Sequence, residues 1–83
     1  MKIEYQNGGM DARLIITWTI FSLRKHSLLV SEILLRVPGV RVESDGFFMI
    51  RTYVSGGVDS VLCAELIAEE QGYEVVKAQP PDE

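Results

Sequence analysis

Three stretches of this 83-residue chain carry residue types that could do chemistry. Ser55-Gly56-Gly57-Val58-Asp59-Ser60 sets two glycines between hydroxyls ahead of a helix-like run. Glycines there let backbone N–H groups close on a phosphate at a helix N-terminus, although Ser55 or Asp59 would equally serve as a helix cap. Arg24-Lys25-His26 sets three basic side chains before another helix-like run. Cations are unfavourable at that end of a helix unless they serve an acidic side chain or phosphate from a partner. Arg24, Lys25, His26, Ser55, Gly56 and Gly57 are therefore the candidate anion-binding residues. The third stretch is Cys63, the only cysteine, and the chain also holds a single histidine. The two fall on different predicted helices, so the sequence places no base beside the thiol. No catalytic residue, metal ligand or cofactor is expected, and the chain is read as a non-enzyme.

Composition narrows the classes further. A hydrophobic fraction of 47% and a charged fraction of 24% are those of an ordinary globular protein of one small domain. The longest apolar stretch, residues 14–21, is broken by two threonines and falls well short of the ~20 residues a spanning helix needs. No membrane insertion and no signal peptide are expected. A lone cysteine allows no internal disulfide and fits a reducing compartment, which makes the cytoplasm the expected location. The net charge of −4 argues against nucleic acid as a partner. Its distribution is uneven: residues 1–51 hold seven basic and five acidic side chains, whereas residues 52–83 hold one and seven. Such a polarised molecule can be oriented by a charged partner.

The elements that must position these residues follow from periodicity and punctuation. Residues 1–11 read as a flexible N-terminal arm with room for a short strand at 2–5, because Asn7-Gly8-Gly9 interrupts any regular element. Residues 13–21 (RLIITWTIF) are β-branched and aromatic on both faces, as in a central strand, with Trp18 in the core. A basic loop leads into a helix ending near residue 36, whose Val30, Ile33, Leu34 and Val37 have the spacing of a buried stripe. Residues 40–54 read as a hairpin turning at Asp45-Gly46, its first strand charged and its second apolar on both faces. A second helix over 58–71 would bury Leu62, Cys63, Leu66 and Ile67 and turn Glu65, Glu69 and Glu70 to water. Gly72 would cap it, a strand over 74–78 would follow, and Pro80-Pro81 would open an acidic tail over 80–83.

This order, β-α-β-β-α-β, is that of a ferredoxin-like two-layer α+β sandwich spanning residues 12–79. It implies a four-stranded antiparallel sheet of order 4-1-3-2 with two helices on one face. The first and third predicted strands, apolar on both sides, would be central, and the charged second and fourth would be edges.

Three local resemblances refine the reading. Residues 31–42 (SEILLRVPGVRV) and 68–75 (AEEQGYEV) make residues 14–76 similar to a heavy-metal-associated domain of the copper-chaperone type. In that family a Met-x-Cys-x-x-Cys loop before helix one binds a soft metal. Counted back from Pro38, its methionine and cysteine positions fall on Phe21, Leu23 and His26, so the resemblance implies the fold without the metal chemistry. A relative of this kind would still dock to a metal transporter or enzyme. Residues 55–60 resemble the SGGxDS loop of ATP pyrophosphatases, which implies phosphate or nucleotide binding. In that family, however, the loop follows the first strand of a large parallel domain, and here only one helix and one strand follow it. Residues 45–50 (DGFFMI) resemble the third-strand motif of the RNA-recognition module. That motif needs a basic residue where Asp45 stands, a small one at Phe48 and aromatics at Met49 and Thr52.

The sheet face away from the helices would carry Ile15, Thr17, Thr19 and Phe21, then Phe47, Met49, Arg51 and Tyr53, with Arg41 and Glu43 beside them. Half of that surface is apolar, more than a monomer leaves bare. The expectation is a regulatory or interaction module that binds a protein partner, or forms a homodimer, through this face or an edge strand. Ile15, Thr17, Arg41, Met49, Arg51 and Tyr53 are the partner-binding candidates.

Overall fold

A computed structural model describes residues 1–78. The predicted tail at 80–83 lies outside the described residues. Among the described residues, five strands, two α-helices and one 3₁₀ turn make an α+β structure. In chain order these are β1 (Lys2–Asn7), β2 (Asp11–Thr19), the 3₁₀ turn (Ile20–Ser22), α1 (Leu23–Arg36), β3 (Arg41–Gly46), β4 (Met49–Gly57), α2 (Val58–Glu70) and β5 (Val75–Ala78). The sheet order is β3-β4-β2-β1-β5, antiparallel except where β5 runs parallel to β1.

The expected sheet of four antiparallel strands is thus corrected to five strands with a parallel pair at one edge. The added strand is β1, drawn from the stretch read as an arm. Asn7-Gly8-Gly9 is a hairpin turn rather than an interruption. Asn7 Oδ1 accepts the Gly9 N–H at 2.8 Å, Gly9 takes φ 102°, and the Gly8 N–H reaches the Asp11 carbonyl at 2.8 Å. Residues on β1 alternate accordingly, Ile3 and Tyr5 buried, Lys2 exposed and Glu4 and Gln6 partly exposed.

The two strands predicted to be central, β2 and β4, pair over nine positions from Asp11–Gly57 to Thr19–Met49, and β3 and β5 lie at the edges. The β3–β4 turn falls later than Asp45-Gly46. Asp45 stays in the strand opposite Arg51, and Phe47-Phe48 form the apex. Gly46, at φ 117°, sits where a Cβ would collide with the Met49 carbonyl. Phe47 and Phe48 therefore leave the sheet and are both exposed.

Leu14, Ile16 and Trp18 of β2 and Val54 of β4 pack with residues of both helices in one core, and the alternate residues of these strands face away from it. Both helices are rotated from their expected stripes. In α1 the buried residues are His26, Leu29 and Ile33, with Val37 just beyond, while Leu34 is half exposed. In α2 they are Val61, Ala64, Glu65, Ile67 and Ala68, whereas Cys63 and Leu66 are exposed. Small alanines bring α2 close to the sheet, and Glu65, expected in water, lies 3.9 Å from Lys77 of β5.

Because Ile3 is 1% exposed at the centre of β1, Ile3→Ala should cost about 2–4 kcal/mol in chemical denaturation. An unchanged unfolding midpoint would return residues 1–11 to the role of an arm.

Candidate functional site

The sheet face away from the helices is built from cross-strand rows. Lys2, Thr17, Arg51 and Asp45 stand side by side across β1, β2, β4 and β3. Glu4, Ile15, Tyr53 and Glu43 form the next row, and Gln6, Arg13, Ser55 and Arg41 the third. A shallow open depression of about 390 Å³ lies at their centre, lined by Lys2, Glu4, Gln6, Ile15, Thr17, Arg51 and Tyr53. The Arg13 guanidinium sits 5.6 Å from the Tyr53 ring centroid, and its Nε–H donates to Gln6 Oε1 at 3.0 Å. Tyr53 is thereby held from one side.

Four of the six partner-binding candidates, Ile15, Thr17, Arg51 and Tyr53, are brought together here. Arg41 lies on the edge strand opposite Ser55, and Met49 at the far end opposite Thr19. The expected half-apolar surface is corrected. β1 lays Lys2, Glu4 and Gln6 across the face, Phe21 and Phe47 lie off the strands, and Ile15 is only 9% exposed although it is outside the core. Lys2, Glu4, Gln6 and Arg13 are the residues that sequence reasoning missed. The signal for the first three is the polar–apolar alternation of residues 2–6, which reads as a half-buried strand.

The anion-binding candidates are dispersed. Arg24 and Lys25 are exposed in the first turn of α1, whereas His26 is turned inward and 8% exposed. Ser55, Gly56 and Gly57 end β4, and α2 begins at the next residue, so no loop is left to curl round a phosphate. None of the three has positive φ, and no side chain caps α2. Met49, at the α1 end of β4, is separated from Gly57 by about 26 Å of extended chain, which divides the two halves of the set.

His26 instead joins a buried polar cluster. Its ring stacks on Trp18 at 3.9 Å between centroids and 18° between planes. The fully buried Thr52 hydroxyl contacts His26 Nε2 at 2.7 Å, accepts the Trp18 Nε1–H at 3.0 Å and contacts Ser44 Oγ at 2.9 Å. Indole can only donate, which leaves the hydroxyl one further acceptor site and one proton to divide between Ser44 and the imidazole. Thr52, Trp18 and His26 are buried and Ser44 closes the cluster on its exposed side, so the cluster positions side chains rather than presenting them.

Among the described residues no group of three or more His, Cys, Asp or Glu is placed to hold a metal ion, and no helix is long and apolar enough to cross a membrane. Comparison with protein-family models, with curated proteins and with solved structures returned no match.

Burial holds the His26 imidazole below its ordinary value of 6.5. The unfolded chain then binds the proton more readily than the folded one. The His26 contribution to stability is complete above about pH 6.5 and is lost as pH falls through the lowered folded value. Unfolding midpoints measured in urea from pH 8 to 5 should fall more steeply for the natural chain than for His26→Gln, on a scale of about pH 6.5 and below. Equal slopes would refute this. Thr52→Val, which strands the buried Trp18 indole and His26 imidazole, should cost about 1–3 kcal/mol in the same assay.

Proposed function

We propose that this chain is a non-catalytic interaction module that binds protein, another chain or a second copy of itself, through the open face of its sheet. The observation that carries this reading is the depression on that face, where Tyr53 and Arg51 converge beside Ile15 with no helix over them. Tyr and Arg are the residue types that most often anchor interfaces, and Arg13 holds Tyr53 in place before a partner arrives. Five strands at about 4.8 Å spacing and some 26 Å of strand length give a face of roughly 500 Å², the low end of specific interfaces. The complex is therefore of the exchanging kind rather than obligate.

The fold reading is part of the proposal. Taking β1 out of β3-β4-β2-β1-β5 leaves the neighbour relations of a 4-1-3-2 sheet, so the chain is read as a ferredoxin-like sandwich with an N-terminal strand inserted between its first and last strands. The likeness of residues 31–42 and 68–75 to heavy-metal-associated domains supports the same fold. At that family's metal-loop positions Phe21 and Leu23 are exposed side chains without donor atoms, and His26 is occupied by Thr52.

Analytical ultracentrifugation and affinity capture test the interaction. Arg51→Glu, at an exposed position, and Tyr53→Ala should each weaken self-association or release the captured protein by about thirtyfold, the effect of losing one anchor residue of about 2 kcal/mol. A strict monomer whose captured partners are unchanged by both substitutions would sink the reading.

A further inference from the structure

The sheet face leaves one conspicuous surface unused. At the end of the molecule where β2 finishes and β4 begins, six apolar side chains are bare: Ile20, Phe21, Leu23, Phe47, Phe48 and Met49. They form one braced unit. The Ile20 N–H donates to the Phe48 carbonyl at 3.3 Å, and the Phe21 and Phe48 rings meet edge to face with centroids 5.7 Å apart at 82°. Phe47 is 94% exposed and Phe21 83%. Side chains in a groove are shielded by its walls, so exposures this high mean that these rings project outward from a convex tip. A convex tip presents its side chains in several directions, so a protein partner would need a matching hollow to cover it. A lipid interface imposes no such demand for shape, because acyl chains and headgroups close around an inserted ring.

Charge selects the kind of surface. Arg24 and Lys25 follow directly on the tip, in the first turn of α1, with no acidic residue in that turn. The ion pairs among the described residues are made by Arg36 and Lys77, which leaves both of these cations unengaged. Arg51 lies two residues beyond Met49 and stands opposite Asp45, the nearest carboxylate on β3. The tip is thus net positive on a chain whose formal charge is −4. An anionic bilayer attracts the tip and repels the acidic remainder, so only one approach is productive.

We propose that the Phe47-Phe48 hairpin tip, with Phe21 and Leu23 beside it and Arg24 and Lys25 behind it, docks the protein onto anionic lipid membranes at headgroup depth. The aromatic rings enter the interface and the two cations meet lipid phosphates and carboxylates. This needs no spanning helix and does not depend on the sheet face, which stays clear of the bilayer for a protein partner.

Flotation with large unilamellar vesicles tests it. The protein should float with vesicles of equal parts phosphatidylcholine and phosphatidylserine and not with phosphatidylcholine alone. Phe47→Ser, at a position with almost no packing to lose, should weaken binding about tenfold or more. Arg24→Ser with Lys25→Ser should weaken it by a similar factor, since each cation near an anionic surface counts about fivefold. Tyr53→Ala should leave it unchanged, which separates this surface from the sheet face. A folded protein that ignores phosphatidylserine vesicles would overturn the proposal. So would binding that depends on Arg24 and Lys25 but not on Phe47, which is adsorption without insertion. Absence of vesicle binding together with a Phe47-dependent dimer in the ultracentrifuge would overturn it in favour of a second copy as the occupant.

Discussion

Much of this architecture turns on one hydroxyl. Thr52 sits fully buried in the middle of β4, and its Oγ1 is shared by Trp18 of β2, Ser44 of β3 and His26 of α1. Four elements therefore meet at an atom that water cannot reach. Trp18 and His26 leave solvent on the condition that Thr52 stays in place, because a buried polar group without a partner costs far more than a satisfied one gains. The cluster fixes what lies around it. His26 sets the rotation of the first turn of α1, where Arg24 and Lys25 point outward, and Ser44 ties the edge strand to β4 three residues before the Phe47 apex. Both exposed surfaces of interest are thus held by a polar contact that neither of them displays.

The second constraint is the inserted strand. β1 fills the place between β2 and β5, so β5 gains its hydrogen bonds from β1 in parallel rather than from β2. The same insertion bears on the character of the open face. Lys2, Glu4 and Gln6 flank Ile15, which is 9% exposed, and extend across β1 the mosaic of both charge signs that Arg13, Arg51, Arg41, Glu43 and Asp45 already carry. A mosaic of this kind favours a partner of defined charge pattern over indiscriminate hydrophobic association.

The central strands were legible because only a central strand is apolar on both faces, and the Arg51-to-Tyr53 register followed from their alternation. What was not legible has physical causes. Lys2 to Gln6 alternate as cleanly as any strand in the chain, but a glycine pair can either end an element or turn it back, and the sequence alone does not say which partner strand will accept the hairpin. In α2, stripes through Leu62, Cys63 and Leu66 or through Val61, Ala64 and Ala68 both satisfy a period of 3.6. Leucine wins by hydrophobicity, yet alanine wins in the fold because closeness to the sheet matters more than side-chain volume. His26 looked like the third member of a basic run, and only the presence of Thr52 and Trp18 beneath it shows why the imidazole turns inward.

The edges of the sheet bear on how its face can be used. An unprotected edge strand invites another chain to extend the sheet, which would make strand addition the natural mode of binding. Here β3 carries exposed Arg41, Glu43 and Asp45, and these side chains project to the same side as Arg51 and Tyr53. A strand laid along β3 would have to match one positive and two negative charges in register. β5, at the other edge, runs over Val75–Ala78 among the described residues. Edge addition is thereby penalised at β3, whereas the depression stays open, with the Arg13 guanidinium flanking Tyr53 on one side. The charges that guard the edge also frame the face, so the feature that keeps the sheet from growing is the one that gives its open side a recognisable pattern.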